Sequence, residues 1–143
     1  MDEAKRDYIQ QWLGKASTDL QAARRLAAPP DPLLDAAFFH CQQAAEKAIK
    51  GYLAYQDHPL VKTHDVEKLV ELAASYEPAF SAWKKAAETL TPYATAFRYP
   101  PKASEPDDEQ YQQAEQAAAG VFAFVCSLLP EEARPPASPG DTH

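Results

Sequence analysis

Apolar side chains recur every three or four residues through five segments of the chain, which is the spacing of one face of an α-helix. The first segment runs from about Asp2 to Ala28, and prolines follow it. Its apolar side is predicted to include Tyr8, Trp12, Ala16, Leu20, Ala23 and Ala27. The second segment covers about Leu33 to Asp57, and Pro59 closes it. Both segments are therefore predicted to be helices that end where proline stops them.

Three further helical segments follow. The third begins near Thr63, a residue type that caps helices. The fourth is interrupted by Thr91-Pro92, which predicts a kink, or a restart capped by Thr91. The fifth begins at Asp107, which has the spacing of a capping box with Gln110, and it reaches Leu129.

These segments predict an all-α protein, an up-and-down bundle of four to five helices. The bundle is predicted to span residues 1–129 as one domain, because 143 residues are enough for one buried core. Residues 130–143 are rich in proline and polar residues, and we expect them to form a disordered tail. The connector RYPPKASEP (98–106) is the one segment between helices that is long enough to act as a functional loop.

Composition and charge narrow the class of protein. The net charge of −7 argues against a protein that coats nucleic acid or anionic membrane through its overall field, while a local basic pocket is compatible with it. The N-terminal residues lack the apolar run of a signal peptide, and no apolar stretch approaches a membrane span, so we expect a soluble cytoplasmic protein. Cys41 and Cys126 lie among apolar neighbours and are expected to be reduced core residues.

The second helix contains the stretch FFHCQQAAEKAIKGYL (38–53), which mixes polar groups with a broad apolar arc. The arc covers about half of the helical wheel, so this helix is expected to be central in the bundle. The arc holds Leu34, Ala37, Phe38, Cys41, Ala44, Ala45, Ala48, Ile49 and Tyr52. The opposite side holds His40, Gln43, Glu46, Lys47 and Lys50. Phe39 falls among these polar groups, which suggests a second packing surface such as a subunit interface.

Two charged residues break the apolar pattern of their helices. Asp19 lies within the apolar stripe of the first helix, where a carboxylate needs a cation or several hydrogen-bond donors. Arg98 closes the fourth helix where the proline-rich connector begins. Its guanidinium group is suited either to a structural ion pair with Asp19 or to binding a phosphate as a planar fork of donors.

The histidines do not form a metal site by their spacing, so we predict no metal and no cofactor. His40 is interpreted as a hydrogen-bonded residue of a groove or interface. His64 is expected to stabilise the start of the third helix. The candidate ligand-binding residues are His40, Gln43, Lys47 and Arg98, with Asp19 as their structural polar partner.

Four motifs, taken in order, resemble the HEPN domain family, whose name stands for higher eukaryotes and prokaryotes nucleotide-binding. They are W-x3-A-x2-DL-x2-A at 12–23, FHCQQAAEKAIKGYL at 39–53, KTHD at 62–65 and FRYP at 97–100. The resemblance covers about Tyr8 to Leu129. It implies a helical bundle that forms a homodimer. In the small prokaryotic type it also implies a minimal nucleotidyltransferase as partner in a toxin–antitoxin-like module.

The resemblance also implies an active motif that this chain carries only in part. Many members of the family are metal-independent ribonucleases with an Arg followed, after four to six residues, by a His. Arg98 matches the Arg, but the positions for the His hold Ala103, Ser104 and Glu105. None of these side chains exchanges a proton near neutral pH as an imidazole does. The Arg-His motif is therefore degenerate.

Several functions remain open on this basis. The first is a binding module for a nucleotide, an RNA phosphate or a nucleotidyltransferase partner, in a groove lined by the four candidate ligand-binding residues. The second is a metal-independent endoribonuclease toxin that uses Arg98 with a displaced base, either His40 or His64. The third is a non-catalytic dimeric interaction module, assembled through Phe39 and the second helix.

A fourth possibility follows from the resemblance alone. Some members of the family carry a tyrosine near the His that the partner enzyme adenylylates. Tyr99 is adjacent to Arg98, and Tyr111 opens the last helix. Neither tyrosine stands at the family's Arg-x4-His-x-Tyr spacing.

Overall fold

The structure, a computed structural model, describes residues 1–96 and 105–135. It contains the helices α1 (Glu3–Ala27), α2 (Leu34–Tyr55), α3 (Val66–Ala74), α4 (Lys84–Ala96) and α5 (Asp108–Leu128). Two 3-10 turns, Pro78–Trp83 and Glu131–Ala133, precede α4 and follow α5. No strand occurs in either described range, and the predicted all-α bundle is confirmed. Within the same ranges, none of the helices is long and apolar enough to cross a bilayer.

α1 and α2 form an antiparallel pair. Asp2 caps α1 by accepting a hydrogen bond from the backbone N–H of Lys5 at 2.7 Å. The Nζ of Lys5 also lies 3.1 Å from the carboxylate of Asp57, just beyond the end of α2. At the opposite end of the pair, the backbone N–H of Leu33 donates to the carbonyl oxygen of Leu26 at 2.6 Å. The two helices therefore run side by side over their whole lengths.

α2 is the central helix, as its broad apolar arc predicts, because it packs against each of the other four helices. Of the apolar arc, all but Leu34 is buried: Ala37, Phe38, Cys41, Ala44, Ala45, Ala48, Ile49 and Tyr52. The small side chains let neighbouring helices approach closely. At Gly51 the approach is closest, since a Cβ there would overlap the side chain of Leu13 on α1.

The cap of α3 differs from the prediction. Asp65, not Thr63, caps this helix, and its carboxylate accepts from the backbone N–H groups of Glu67 and Lys68 at 3.0 and 3.4 Å. The hydroxyl of Thr63 accepts from the backbone N–H of Asp65 at 3.1 Å. The carboxylate satisfies two free N–H groups and brings the negative charge that a helix N-terminus favours, which explains why it takes the capping position.

The helix restart predicted at Thr91 is wrong. α4 continues through Thr91-Pro92 to Ala96, and the hydroxyl of Thr91 donates to the carbonyl oxygen of Ala87 at 2.7 Å. That hydrogen bond is typical of a threonine inside a helix rather than at its start. The break lies earlier, because Phe80 and Trp83 belong to the 3-10 turn that precedes α4.

The capping box predicted at the start of α5 is confirmed. The carboxylate of Asp107 accepts from the backbone N–H of Gln110 at 2.7 Å, and the side-chain oxygen of Gln110 accepts from the backbone N–H of Asp107 at 2.9 Å. Each residue thus satisfies a backbone donor that the helix leaves free.

The chain continues to pack against the bundle beyond α5. Ala133 is buried, and the side-chain amide of Gln10 on α1 donates to the carbonyl oxygen of Glu132 at 2.8 Å. The packed part of the chain therefore reaches at least Ala133, a few residues past the domain boundary expected at residue 129.

Both cysteines are free thiols, as predicted. Cys41 is fully buried in α2, and burial, reinforced by the nearby Glu115, raises the pKa of its thiol to about 12. Cys126 is half-buried on α5 and lies at the edge of the core rather than inside it. The burial of Cys41 keeps its sulfur protonated and unreactive.

We expect Gly51→Ala to lower the free energy of unfolding by about 1–3 kcal/mol, because the added methyl group overlaps the buried Leu13. It also lies 3.2 Å from the Cβ of Trp12, so α1 must shift to admit it. Gly14→Ala is the matched control, since a Cβ there meets no atom within 4 Å and alanine is favoured over glycine in a helix by about 1 kcal/mol. Urea denaturation measures both variants, and equal stabilities would contradict the close contact.

Candidate functional site

The carboxylate of Asp19 on α1 brings two polar side chains of α2 together. Its Oδ1 lies 2.8 Å from the Nδ1 of His40, and its Oδ2 accepts from the Nζ of Lys47 at 2.7 Å. His40 and Lys47 are seven residues apart, so they lie on the same face of α2, two turns from each other. Asp19 is 7% exposed, and these two contacts provide the partners that a buried carboxylate needs. We call this group the Asp19 cluster.

The contact with Asp19 sets the orientation of the His40 ring. With its proton on Nδ1, the imidazole donates to the carboxylate, and the lone pair is left on Nε2. The His40 side chain is 32% exposed, so the ring is partly open to solvent. A carboxylate that holds an imidazole in this way is an arrangement suited to accepting a proton from a ligand.

A second carboxylate, Glu46 on α2, gathers a similar set of groups. Its oxygens lie 2.9 Å from the Nζ of Lys50, 3.0 Å from the Nδ1 of His64 and 3.1 Å from the side-chain amide of Gln42. Glu46 is 3% exposed and Lys50 is 7% exposed. The helical wheel groups Glu46 and Lys50 with the polar side of α2, but both side chains are buried, because His64 packs against Glu46 and the Trp12 ring lies beside Lys50. We call this group the Glu46 cluster.

The ionisation of Glu46 depends on its hydrogen bonds. Burial raises the pKa of the Glu46 carboxyl group, but hydrogen bonds from Lys50, His64 and Gln42 together lower it by more. The net pKa is below the usual value of 4.5, so the carboxylate is ionised at neutral pH. The Glu46 cluster thus contains a buried ion pair.

His64 and Gln43 also occupy positions that differ from their expected ones. The ring of His64 bonds to Glu46 at 3.0 Å and its carbonyl oxygen accepts from Gln42 at 2.8 Å, so these contacts go to α2, while Asp65 caps α3. The side-chain amide of Gln43 donates to the side-chain oxygen of Gln42 at 2.7 Å. Gln43 is therefore joined to the Glu46 cluster, while His40 and Lys47 belong to the Asp19 cluster.

Two adjoining grooves lie along α1 beside the Asp19 cluster, and Lys47 of α2 borders both. The polar groove is lined by Gln11, Gly14, Lys15, Thr18, Asp19 and Lys47. The aromatic groove is lined by Tyr8, Gln11, Trp12, Lys15 and Lys47. Lys47 lines both of them, so the ammonium group that pairs with Asp19 also borders the neighbouring surface.

The sequence pattern misplaced the aromatic side chains of α1. Tyr8 is 44% exposed and Trp12 is half-buried, whereas the buried stripe of α1 runs through Ile9, Leu13, Ala16, Leu20 and Ala23. The purely aliphatic stripe at 9, 13, 16, 20 and 23 has the same helical spacing and is the signal that identifies the core side. The adjacent aromatic pair then belongs to the rim of the helix, where it lines a groove.

Of the remaining candidate residues, Arg98 and Tyr99 lie outside the described residues. Tyr111 is buried, and its hydroxyl has no hydrogen-bond partner among the residues that the structure describes. Burial also raises the pKa of that hydroxyl. A tyrosine in this environment is a poor acceptor for modification by a partner enzyme.

The described side chains do not form a metal site. Across residues 1–96 and 105–135, no three His, Cys, Asp or Glu side chains converge on one point. Asp19 and Glu46 each bind a lysine ammonium group together with one imidazole. In both clusters the cation is therefore supplied by the protein itself.

A family model, described as HEPN domain, matches residues 9–129 of the chain. This match covers most of the sequence, and the chain therefore belongs to the HEPN domain family. Comparisons with curated proteins and with solved structures gave no match.

We expect Glu46→Gln to lower the free energy of unfolding at pH 7 by roughly 3 kcal/mol, because Lys50 would remain as a buried cation without its partner. The variant should also weaken the loss of stability in acid. Glu46 has a lower pKa in the folded state than in the unfolded chain, so its stabilisation is complete above pH 4.5 and is lost as the pH falls through the folded-state pKa.

Urea titrations between pH 3 and pH 7 measure this dependence. Glu71→Gln, which removes an exposed carboxylate from α3, is the matched control. A Glu46→Gln profile that is parallel to the wild-type profile throughout this range would show that the buried network contributes nothing to acid sensitivity.

Proposed function

We propose that this HEPN-domain protein binds a nucleotide or an RNA through its phosphate groups at the Asp19 cluster. The observation that carries the proposal is the convergence of His40 and Lys47 on one carboxylate at the border of an open groove. Membership of a family whose name refers to nucleotide binding supports the same class of ligand.

The local charge favours an anionic ligand although the protein as a whole is acidic. Asp19 balances one positive charge, and Lys47 and the exposed Lys15 together supply two. The ammonium group of Lys47 has three donors, of which Asp19 occupies one, and its side chain is 24% exposed. A phosphate beside the groove can therefore receive hydrogen bonds from a cation that Asp19 holds in place.

Arg98 and Gln43 belong to the same proposal. Arg98 follows Ala96, the last residue of α4, by two positions and would add a bidentate phosphate donor. Gln43 has its amide nitrogen engaged by Gln42, so it would contact a ligand through its oxygen. Binding is proposed without a metal or another cofactor.

The broader assembly is also a proposal. The protein would form a homodimer through α2, including Phe39, and would bind a minimal nucleotidyltransferase in a toxin–antitoxin-like module. Its prokaryotic origin and cytoplasmic location belong to the same interpretation. A dimer that uses this surface without binding a nucleotide is the non-catalytic alternative.

We expect Lys47→Gln to weaken binding of a labelled single-stranded RNA about tenfold, the value of one charge-assisted hydrogen bond. The slope of log affinity against log salt should decrease by about 0.7, because one phosphate contact is lost. Fluorescence anisotropy over a series of salt concentrations measures both quantities. Lys47→Arg keeps the charge and should retain binding, and Lys85→Gln removes an exposed lysine on α4 as the matched control. Wild-type affinity and slope in Lys47→Gln would contradict the proposed site.

A second candidate function, metal-independent RNA cleavage, is favoured by the contact between Asp19 and the Nδ1 of His40. In this reaction the Nε2 of His40 would accept the proton of a ribose 2′-hydroxyl group, and the 2′-oxygen would attack the adjacent phosphorus. The bond to the 5′-oxygen would break, leaving a 2′,3′-cyclic phosphate and a 5′-hydroxyl group that takes its proton from solvent. Lys47 would stabilise the negative charge on the phosphate oxygens.

If His40 is this base, cleavage of RNA in the presence of a chelator should disappear in His40→Ala. It should fall strongly in Asp19→Asn, because the carboxylate fixes the tautomer of the ring. His64→Ala tests the alternative base and should retain cleavage, whereas Arg98→Ala should lose it. Gel analysis of the products and their 2′,3′-cyclic ends provides the measurement. A wild type that binds RNA but leaves it intact would restrict the protein to binding.

A further inference from the structure

The aromatic groove next to the Asp19 cluster has the composition of a nucleobase site. We propose that it holds a base of single-stranded RNA stacked on Trp12, with Tyr8 as its side wall, while Lys15 and Lys47 bind the flanking phosphates. This inference rests on the proposed function, because it places the base of a ligand whose phosphate binds beside Asp19.

The rings of Tyr8 and Trp12 form a corner rather than a closed stack. Their centroids are 6.2 Å apart and their planes meet at 74°. The Nζ of the buried Lys50 lies 5.9 Å from the Trp12 ring centre and does not line the groove. This cation lies over the indole from within the protein's packed interior, while the Trp12 side chain, which is half-buried, also lines the groove. An aromatic face at the border of a groove is what a base needs for stacking.

Polar groups at the border of this groove match the rest of a nucleotide. Gln11 is exposed and presents both an amide donor and a carbonyl acceptor, which are complementary to the edge of a base. Lys15 and Lys47 line both the aromatic and the polar groove, so their ammonium groups lie between the proposed base site and the Asp19 cluster. A strand that passes from one groove to the other would meet cations between the two.

The length of the surface favours an oligonucleotide over a mononucleotide. Tyr8 and Asp19 are eleven residues apart on α1, which corresponds to about 16 Å along the helix axis. Stacked nucleotides of one strand advance by about 3.4 Å each, so roughly five of them fit along this distance. The two grooves together are therefore long enough for a short single strand.

A fluorescence experiment isolates the proposed contact, because Trp12 and Trp83 are the two tryptophans of the chain. Trp83 packs against Phe124 of α5 and does not line either groove. In Trp83→Phe, tryptophan emission reports on Trp12 alone. Titration with a short oligouridylate should quench this emission, whereas an abasic ribose-phosphate oligomer of equal length should leave it unchanged. A mononucleotide should require a higher concentration than the oligomer for the same quenching.

Affinity measurements on three variants complete the test. Trp12→Leu keeps an apolar side chain against α2 and should weaken binding of the base-containing oligomer tenfold or more, the range for losing one stacked base. It should leave binding of the abasic oligomer unchanged. Lys15→Glu should weaken binding of both oligomers, and Lys85→Glu, with the same charge change on α4, should weaken neither. Circular dichroism checks that each variant is folded.

The outcomes separate this inference from the proposed function. If RNA binds but Trp12 is not quenched and Trp12→Leu binds as the wild type does, the base site is overturned while phosphate binding stands. If the wild type binds no RNA, both are overturned. If Trp12→Leu and Lys15→Glu change the oligomeric state in light scattering without any RNA binding, the groove is an interface between two copies of the chain, which also overturns the proposal.

Discussion

The structure depends on two buried carboxyl groups, Asp19 on α1 and Glu46 on α2, that the helices could not bury without partners. Asp19 and Glu46 are 7% and 3% exposed, and an isolated carboxylate in such a place costs several kcal/mol. Each is held by one lysine and one histidine. The pairing of Glu46 with Lys50 lies within α2, and His64 ties it to the loop before α3. The pairing of Asp19 with His40 and Lys47 crosses from α1 to α2 and fixes the register of the two helices, because a shift by one turn would leave the carboxylate on α1 and the ammonium group on α2 without a partner. The contact of Gly51 with Leu13 requires the same register.

The same constraint places polar groups beside the grooves. If α1 and α2 met only through aliphatic side chains, the polar groups at the surface of the pair would be mobile and solvated. Here the carboxylate of Asp19 holds the ring of His40 and the ammonium group of Lys47 in defined positions. A ligand that binds there meets groups whose positions are already fixed, so less conformational entropy is lost on binding. A structural requirement of the core thus orders the candidate binding surface.

The sequence was sufficient to predict the fold because apolar residues recur at helical spacing through long segments of the chain. Five helices, the central position of α2 and the capping box of α5 all follow from local pattern. It was less informative about the α1–α2 contact. A helical wheel treats one helix by itself, so Glu46 and Lys50 fall on a polar side although His64 and Trp12, from other parts of the chain, lie against them. It also cannot choose between two apolar stripes of equal spacing, such as the one through Tyr8 and Trp12 and the one through Ile9 and Leu13.

Partners of buried charges are likewise decided by tertiary contacts. Asp19 clearly required a cation, but sequence spacing alone does not distinguish Lys47 on α2 from an arginine beyond α4. The pairing of His64 with Glu46 joins residues 18 positions apart across the loop before α3. No helical periodicity relates such residues, so this contact could be found only once the helices and the loop were packed together.

The two clusters share the same types of groups but differ in what they can offer to a ligand. In the Glu46 cluster the lysine side chain is 7% exposed, and it lies between Glu46 and the Trp12 ring, so its charge serves the core. In the Asp19 cluster the lysine side chain is 24% exposed and borders both grooves. The histidines show the opposite order of exposure. The side chain of His64, in the Glu46 cluster, is 69% exposed, and that of His40, in the Asp19 cluster, is 32% exposed. In the Glu46 cluster the cation is buried, so the exposed imidazole has no accessible cation beside it to bind a phosphate. In the Asp19 cluster the partly exposed cation can bind a phosphate, and the oriented imidazole beside it can exchange a proton with the ligand. The difference in packing of the two lysines, rather than any difference in composition, is what makes the Asp19 cluster the better candidate for a site.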